Sequence, residues 1–320
     1  MKSSLALGAL ATATSTAAAT ARQIWNFTDI ITIENSALRS NGQLLLTTFT
    51  NASLYSLDTL ARSPKADLVA QLPGATAIGG IAAIGADKYA IVGGIRGNYS
   101  YTNETIYTVD FSGNLSTPTV KIVATVPGAT MLNGLASLPS FPHIVLATDS
   151  RQGNLWRIDT DVGTAEIAFA DDLFAVPAGA VTPLGVNGIK IAGGYVYFTN
   201  TGQYIFGRVP ITEDGSKAGD AEVIANATNG YDWDDFAIDT AGNFYTAQTP
   251  NAAGQVSLDG TYGTLAGGEN STLFHRPTSV TVSENTKKLY VTTGGNTING
   301  IMYSGQVIEV QLKKNTSLST

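Results

Sequence analysis

The chain has 320 residues, 43% of them hydrophobic and only 13% charged, and carries a formal net charge of -7. That balance excludes a disordered chain and a coiled coil, and an acidic chain without grouped Lys and Arg excludes a nucleic-acid binder that works by neutralising phosphates. Having no cysteine, it lacks disulfides, thiol nucleophiles and Cys-ligated zinc, and two histidines, His143 and His275, cannot build a multi-His metal centre.

Residues 1–21, MKSSLALGALATATSTAAATA, combine one Lys, a short apolar run from Leu5 to Ala11 and Ala19-Thr20-Ala21 before Arg22. This is the plan of a secretory signal peptide, leaving 22–320 as the mature domain. Asn-X-Ser/Thr triplets at Asn26, Asn51, Asn98, Asn103, Asn114, Asn226, Asn270 and Asn315 agree with a glycoprotein on the secretory route, secreted or vesicular. No later stretch has 18 uninterrupted apolar residues, so no membrane span is expected.

From there the chain repeats one phrase. A short apolar run opens on a small or polar residue, a Gly/Asn/Asp turn follows, a β-rich run ends in Thr or Ala, and a third run ends near Asp or Gly. The phrase opens at Glu34, Gly79, Asn133, Asn187, Asp234 and Thr278, at spacings of 45, 54, 54, 47 and 44 residues. Each span suits a four-stranded blade, and turn pairs such as Asn41-Gly42, Gly193-Gly194 and Ala241-Gly242 sit between β-runs as hairpin turns should. No helical period appears. The expectation is an all-β chain, one six-bladed β-propeller with a central ligand pocket.

In a propeller the innermost strands line the axis. Glu34, Asn133, Asn187 and Asp234 open four of those strands and offer two carboxylates and two amide oxygens. Such a set suits one hard divalent cation, calcium or magnesium. Turn chemistry at strand starts explains the same residues equally well.

The phrases Asn133-Gly134, Asn187-Gly188 and Asp234-Asp235-Phe236-Ala237-Ile238-Asp239, with Glu34 opening the first blade, resemble the senescence-marker-protein/gluconolactonase family over roughly residues 30–312. The resemblance implies a six-bladed propeller whose lactonase members hold one divalent metal on a Glu-Asn-Asn-Asp set. Glu34 is followed here by Asn-Ser-Ala-Leu, where those lactonases carry a Gly-Pro-type phrase and Trp. The opening IWNFTDIITIENSALRSNGQLLLTTF and the GYDWDDFAID phrase look more like a divergent branch from natural-product pathways. Some members of that branch are hetero-Diels–Alderases that join a tropolone quinone methide to a humulene-type sesquiterpene.

Two chemistries follow. A pericyclase in terpenoid secondary-metabolite biosynthesis needs an apolar pocket for small hydrophobic substrates, one or two polar donors and no cofactor. Tyr231, Trp233, Phe274, Met131, Tyr204 and Phe206 are the candidate pocket residues, with blade packing the competing assignment for each aromatic. His275 and Arg276, just before the sixth inner strand, are the candidate donors to a tropolone oxygen. A lactone hydrolase would instead use a cation on Glu34, Asn133, Asn187 and Asp234, with Asp234 or Glu34 as general base. A glycan- or protein-binding propeller is the third class.

Overall fold

A computed structural model describes residues 19–228, 230–269 and 271–312. Six four-stranded antiparallel sheets follow one another along the chain. Their inner strands are Ile33–Leu38, Ala77–Gly85, Leu132–Ser137, Val186–Ala192, Asp232–Ile238 and Pro277–Val282 of blades I to VI. Blade VI is completed from both ends of the chain: Pro277–Val282, Lys288–Thr293 and Gln306–Gln311 pair in order, and Thr20–Asn26 adds the outer strand. The ring is therefore closed by hydrogen bonds between its first and last strands, which leaves no open join between blades I and VI. Among the described residues there is no α-helix, only a 3-10 turn at Asp172–Phe174, and no helix is long and apolar enough to cross a membrane. Of the expected leader, residues 1–18 lie outside the described residues, while Thr20 and Ala21 begin the outer strand of blade VI.

The six phrase openings share one backbone device. Each inner strand slips register against its neighbour at that point: Ile33/Asn35, Ile78/Ile81, Leu132/Leu135, Val186/Ile189, Trp233/Phe236 and Pro277/Ser279. A bulge takes residues out of the alternating pleat and re-aims their side chains. It also frees a backbone N–H that must find another acceptor. The Thr that closes the second strand supplies one. The amides of Asn35, Gly134 and Gly188 donate to Thr47 Oγ1 at 3.0 Å, Thr148 Oγ1 at 2.8 Å and Thr199 Oγ1 at 3.0 Å. Two of these hydroxyls then donate to the next blade, Thr148 to the Asn187 carbonyl at 2.8 Å and Thr199 to the Asp234 carbonyl at 2.5 Å. The recurring terminal Thr of the sequence phrase is thus a link from blade to blade.

Apolar side chains pack between neighbouring sheets rather than around one centre. Between blades IV and V the cluster contains Tyr197, Phe206, Tyr231, Trp233, Phe236 and Phe244. Trp233 is fully buried, edge-on to Tyr262 at 5.4 Å, and its indole N–H has no partner among the described residues. Trp233→Phe is accordingly expected to cost only about 1 kcal/mol, because the lost volume is offset by removal of an unsatisfied donor. The shift in urea midpoint checks this, with turnover unchanged.

Candidate functional site

The axis is closed midway by a polar plug. Lys190 Nζ donates to Asp235 Oδ1 at 2.6 Å, and Asn35 Nδ2 to Asp235 Oδ2 at 2.9 Å. Ser36 Oγ lies 3.1 Å from Ser279 Oγ and 2.8 Å from Thr281 Oγ1. At one end of the axis is a cavity of about 370 Å³. The bulged residues Glu34, Asn133, Asn187, Asp234 and Thr278, each from a different blade, line it together with Met131 and Arg276. Gly79, the sixth opening, adds no side chain. Blade II contributes instead through a long hairpin, Lys88–Arg96 and Tyr101–Asp110, whose turn brings Arg96, Tyr99 and Tyr101 to the cavity.

Burial dominates the electrostatics. Glu34 is buried, and loss of water pushes its carboxyl pKa up to about 7 against the pull of Arg276 and Arg96, with Asp235 adding to the rise. Asp234 is pushed well above the usual carboxylate range by burial, by Glu34 and by Asp235, while Arg276 and a hydrogen bond from Asn187 oppose this. Two neighbouring acids cannot both carry charge cheaply in such a site. Near neutral pH the pair therefore retains a proton. Burial and Glu34 also hold the Tyr101 phenol protonated, far above its ordinary range.

The two guanidiniums come from the two blades that flank blade I, Arg96 from blade II and Arg276 from the start of blade VI. Arg276 has φ +59°, and its backbone is held at both ends: its N–H donates to the Pro250 carbonyl at 3.0 Å, and its carbonyl accepts from Gly294 at 2.8 Å. Left-handed backbone at a non-glycine residue costs energy and is kept where surrounding structure enforces it. Here it separates two neighbours, sending Arg276 to the cavity and His275 inward. Arg96 sits over the Phe49 ring, 4.3 Å from its centroid.

His275 does not line the cavity. It is buried, stacks on Tyr303 with ring centroids 4.0 Å apart and 15° between planes, and burial lowers its pKa, so it is a neutral packing group. Trp233, Tyr231 and Phe206 belong to the core between blades IV and V, and Phe274 to that between blades V and VI. Of these only Trp233 lies on an inner strand; Phe206 is on Ile205–Pro210, the third strand of blade IV, and Tyr231 and Phe274 lie in the connections that lead into the inner strands of blades V and VI. Tyr204 occupies a tight turn at φ +58°. Of the nominated residues, Glu34, Asn133, Asn187, Asp234, Met131 and Arg276 meet at one cavity. Arg96, Tyr101 and Phe49 join them, Arg96 and Tyr101 because the two blade II strands run nine and ten residues against six in blade I.

The donor set Glu34, Asn133, Asn187 and Asp234 fits a hard divalent cation in type and number: four oxygen-bearing side chains at a single cavity, two of them carboxylates. A cation bound there would keep both carboxylates ionised and polarise a carbonyl oxygen.

No family model matches the chain. A protein of a Phoma species is 28% identical over 253 residues, 71% of this chain and 72% of that protein. A second, from Sarocladium schorii, is 28% identical over 246 residues, 68% of this chain and 60% of that one. Both are named "Putative hetero-Diels-Alderase". In sequence, the chain is similar to hetero-Diels–Alderases. In fold it is similar to gluconolactonase-like propellers. A luciferin-regenerating enzyme superposes with a TM-score of 0.67 at 13% identity, covering 92% of this chain and 95% of the other. A calcium-binding regucalcin from Agrobacterium tumefaciens gives 0.63 at 16% over 92% and 96%. A gluconolactonase from Xanthomonas campestris gives 0.63 at 12% over 92% and 90%.

Proposed function

We propose that the chain is a hetero-Diels–Alderase, joining a tropolone quinone methide to a humulene-type sesquiterpene. The observation that carries this reading beyond the likeness to named relatives is the pairing, in one cavity, of the guanidiniums of Arg96 and Arg276 with buried, proton-retaining carboxyls. The reaction consumes the three π bonds of O=C–C=C and C=C and forms one C–C bond, one C–O bond and one new C=C bond. Nothing leaves and no oxidant is needed. When the C–C bond forms ahead of the C–O bond, negative charge builds on the heterodiene oxygen. Donors already aimed at that oxygen lower the barrier, and holding both partners in one geometry supplies up to about 7–11 kcal/mol more. Arg276, whose backbone is fixed from two sides, is the donor; protonated Glu34 is the second. Tyr99, Tyr101, Met131 and Leu184 provide the less polar wall.

The test is incubation with a quinone-methide precursor and humulene, followed by chiral product analysis. The enzyme should raise the yield and impose one stereoisomer. An unchanged yield and isomer ratio overturns the reading. The convergence of Glu34, Asn133, Asn187 and Asp234 favours a second reading, lactone hydrolysis. Prolonged chelation separates the two: cycloaddition should survive it, whereas lactonase activity should be lost and return with calcium or magnesium.

A further inference from the structure

Six of the eight Asn-X-Ser/Thr acceptors fall within the described residues: Asn26, Asn51, Asn98, Asn103, Asn114 and Asn226. All six are exposed. The other described asparagines behave differently. Asn35, Asn133, Asn154, Asn187 and Asn200 are buried, Asn243, Asn251 and Asn296 are half-buried, and only Asn41, Asn285 and Asn299 are exposed. Triplets formed by chance in a chain rich in Asn, Ser and Thr would share that mixture. Confinement of the acceptors to the surface is what a bulky, hydrophilic modification requires.

The structure also sorts the six. In Asn51-Ala52-Ser53 and Asn103-Glu104-Thr105 the hydroxyl residue is buried within a strand. Asn98-Tyr99-Ser100 and Asn114-Leu115-Ser116 lie in turns between strands, and neither has a buried member. Only the first of these two is at the candidate site: Asn98, Tyr99 and Ser100 all line the cavity, as Arg96 does. Gly97 donates to the Ser100 carbonyl at 2.7 Å and closes the turn. The exposed Asn98 therefore stands at the tip of the blade II hairpin, at the cavity mouth.

We propose that Asn98 carries an N-linked glycan and that this glycan screens the blade II side of the cavity mouth. Both candidate chemistries use the same cavity, so this rests on the expected secretory route and not on the cycloaddition reading. In the modification, Asn98 Nδ2 forms an N–C bond to C1 of the first sugar of a lipid-diphosphate-linked oligosaccharide. The C–O bond from that sugar to the diphosphate breaks, the diphosphate leaves, and the amide nitrogen gives up one proton. Ser100 supplies the hydroxyl that the triplet requires. The attached sugars begin two residues from Arg96, one of the two guanidiniums at the cavity. A hydrated, branched chain there obstructs approach from that side.

The test uses protein purified from its source organism, with variants expressed in the same cells. Peptide-N-glycosidase digestion in water enriched in heavy oxygen converts each glycosylated asparagine into labelled aspartate, which peptide mass spectrometry locates. The expected result is label at Asn98. Ser100→Ala should remove it and Ser100→Thr should keep it, because threonine preserves the triplet. Label at Asn114 in all three proteins shows that each variant folded and passed through the same compartment. Screening is read on the intact proteins by the rate at which phenylglyoxal modifies Arg96. That rate should be severalfold higher in Ser100→Ala than in the wild type or Ser100→Thr, and enzymatic deglycosylation should bring the wild type to the faster rate. Label at Asn114 with none at Asn98 overturns the proposal. Label nowhere overturns it together with the secretory route. Label at Asn98 with unchanged Arg96 reactivity overturns the screening role.

Discussion

Arg276→Met is expected to lower kcat/KM for cycloaddition by about 10²–10³-fold while leaving the fold intact. Removing one preorganised donor to a developing oxyanion costs rate of that order. The fold should survive because Arg276 is exposed and its neighbourhood is organised by its backbone, through the Pro250 carbonyl and the Gly294 amide, which the substitution retains. Met keeps most of the aliphatic stem and removes the charge and the donors. A complementary variant leaves the arginine in place and moves it. A Cβ at Gly294 would stand 2.6 Å from Arg276 Nη2 and 3.0 Å from Nε, so Gly294→Ala must displace the guanidinium. Its expected loss is smaller, about tenfold, because the displaced side chain remains charged and near. Steady-state kinetics with thermal melts as controls check both. If Arg276→Met turns over like the wild type, the donor assignment fails.

The ring of bulges was legible in the sequence because it is made by local chemistry. A small or polar residue opening each inner strand and a Thr closing the second recur at blade spacing, and the structure pairs them through backbone N–H groups and hydroxyls. That is why Glu34, Asn133, Asn187 and Asp234 could be nominated together. The positively charged half of the site was harder to read. Arg96 reaches the cavity because the second and third strands of blade II are longer than those of blade I, and strand length is set by pairing between segments. Arg276 and His275 are adjacent in sequence, yet one positive φ divides them between cavity and core. Aromatic content misled for a related reason. Trp233 and Phe206 are the bulk that fills the wedge between two twisted sheets, and composition alone does not distinguish that duty from lining a pocket.

The sharpest separation of the two chemistries lies in the protonation of Glu34. With its pKa pushed up to about 7, the side chain is a neutral acid below that pH and can donate a hydrogen bond to the heterodiene oxygen. Above it, the carboxylate would face the same developing negative charge and repel it. Cycloaddition should therefore be level on the acid side and fall as pH rises through about 7. Glu34→Gln retains an N–H donor and cannot ionise, so it should keep activity within about tenfold of the wild type and abolish the alkaline fall. Glu34→Ala should lose activity at every pH. A lactonase reverses the ranking: glutamine cannot act as base or anionic ligand, so Glu34→Gln would be as inactive as Glu34→Ala. Stability offers an independent readout with a definite sign. A carboxyl whose folded-state pKa lies above its unfolded value binds its proton more tightly when folded. Its contribution is full below about 4.5 and is lost as pH rises through about 7. The melting temperature of the wild type should accordingly decline between those limits relative to Glu34→Gln, and parallel melting curves for the two proteins would show that Glu34 titrates as an ordinary exposed acid.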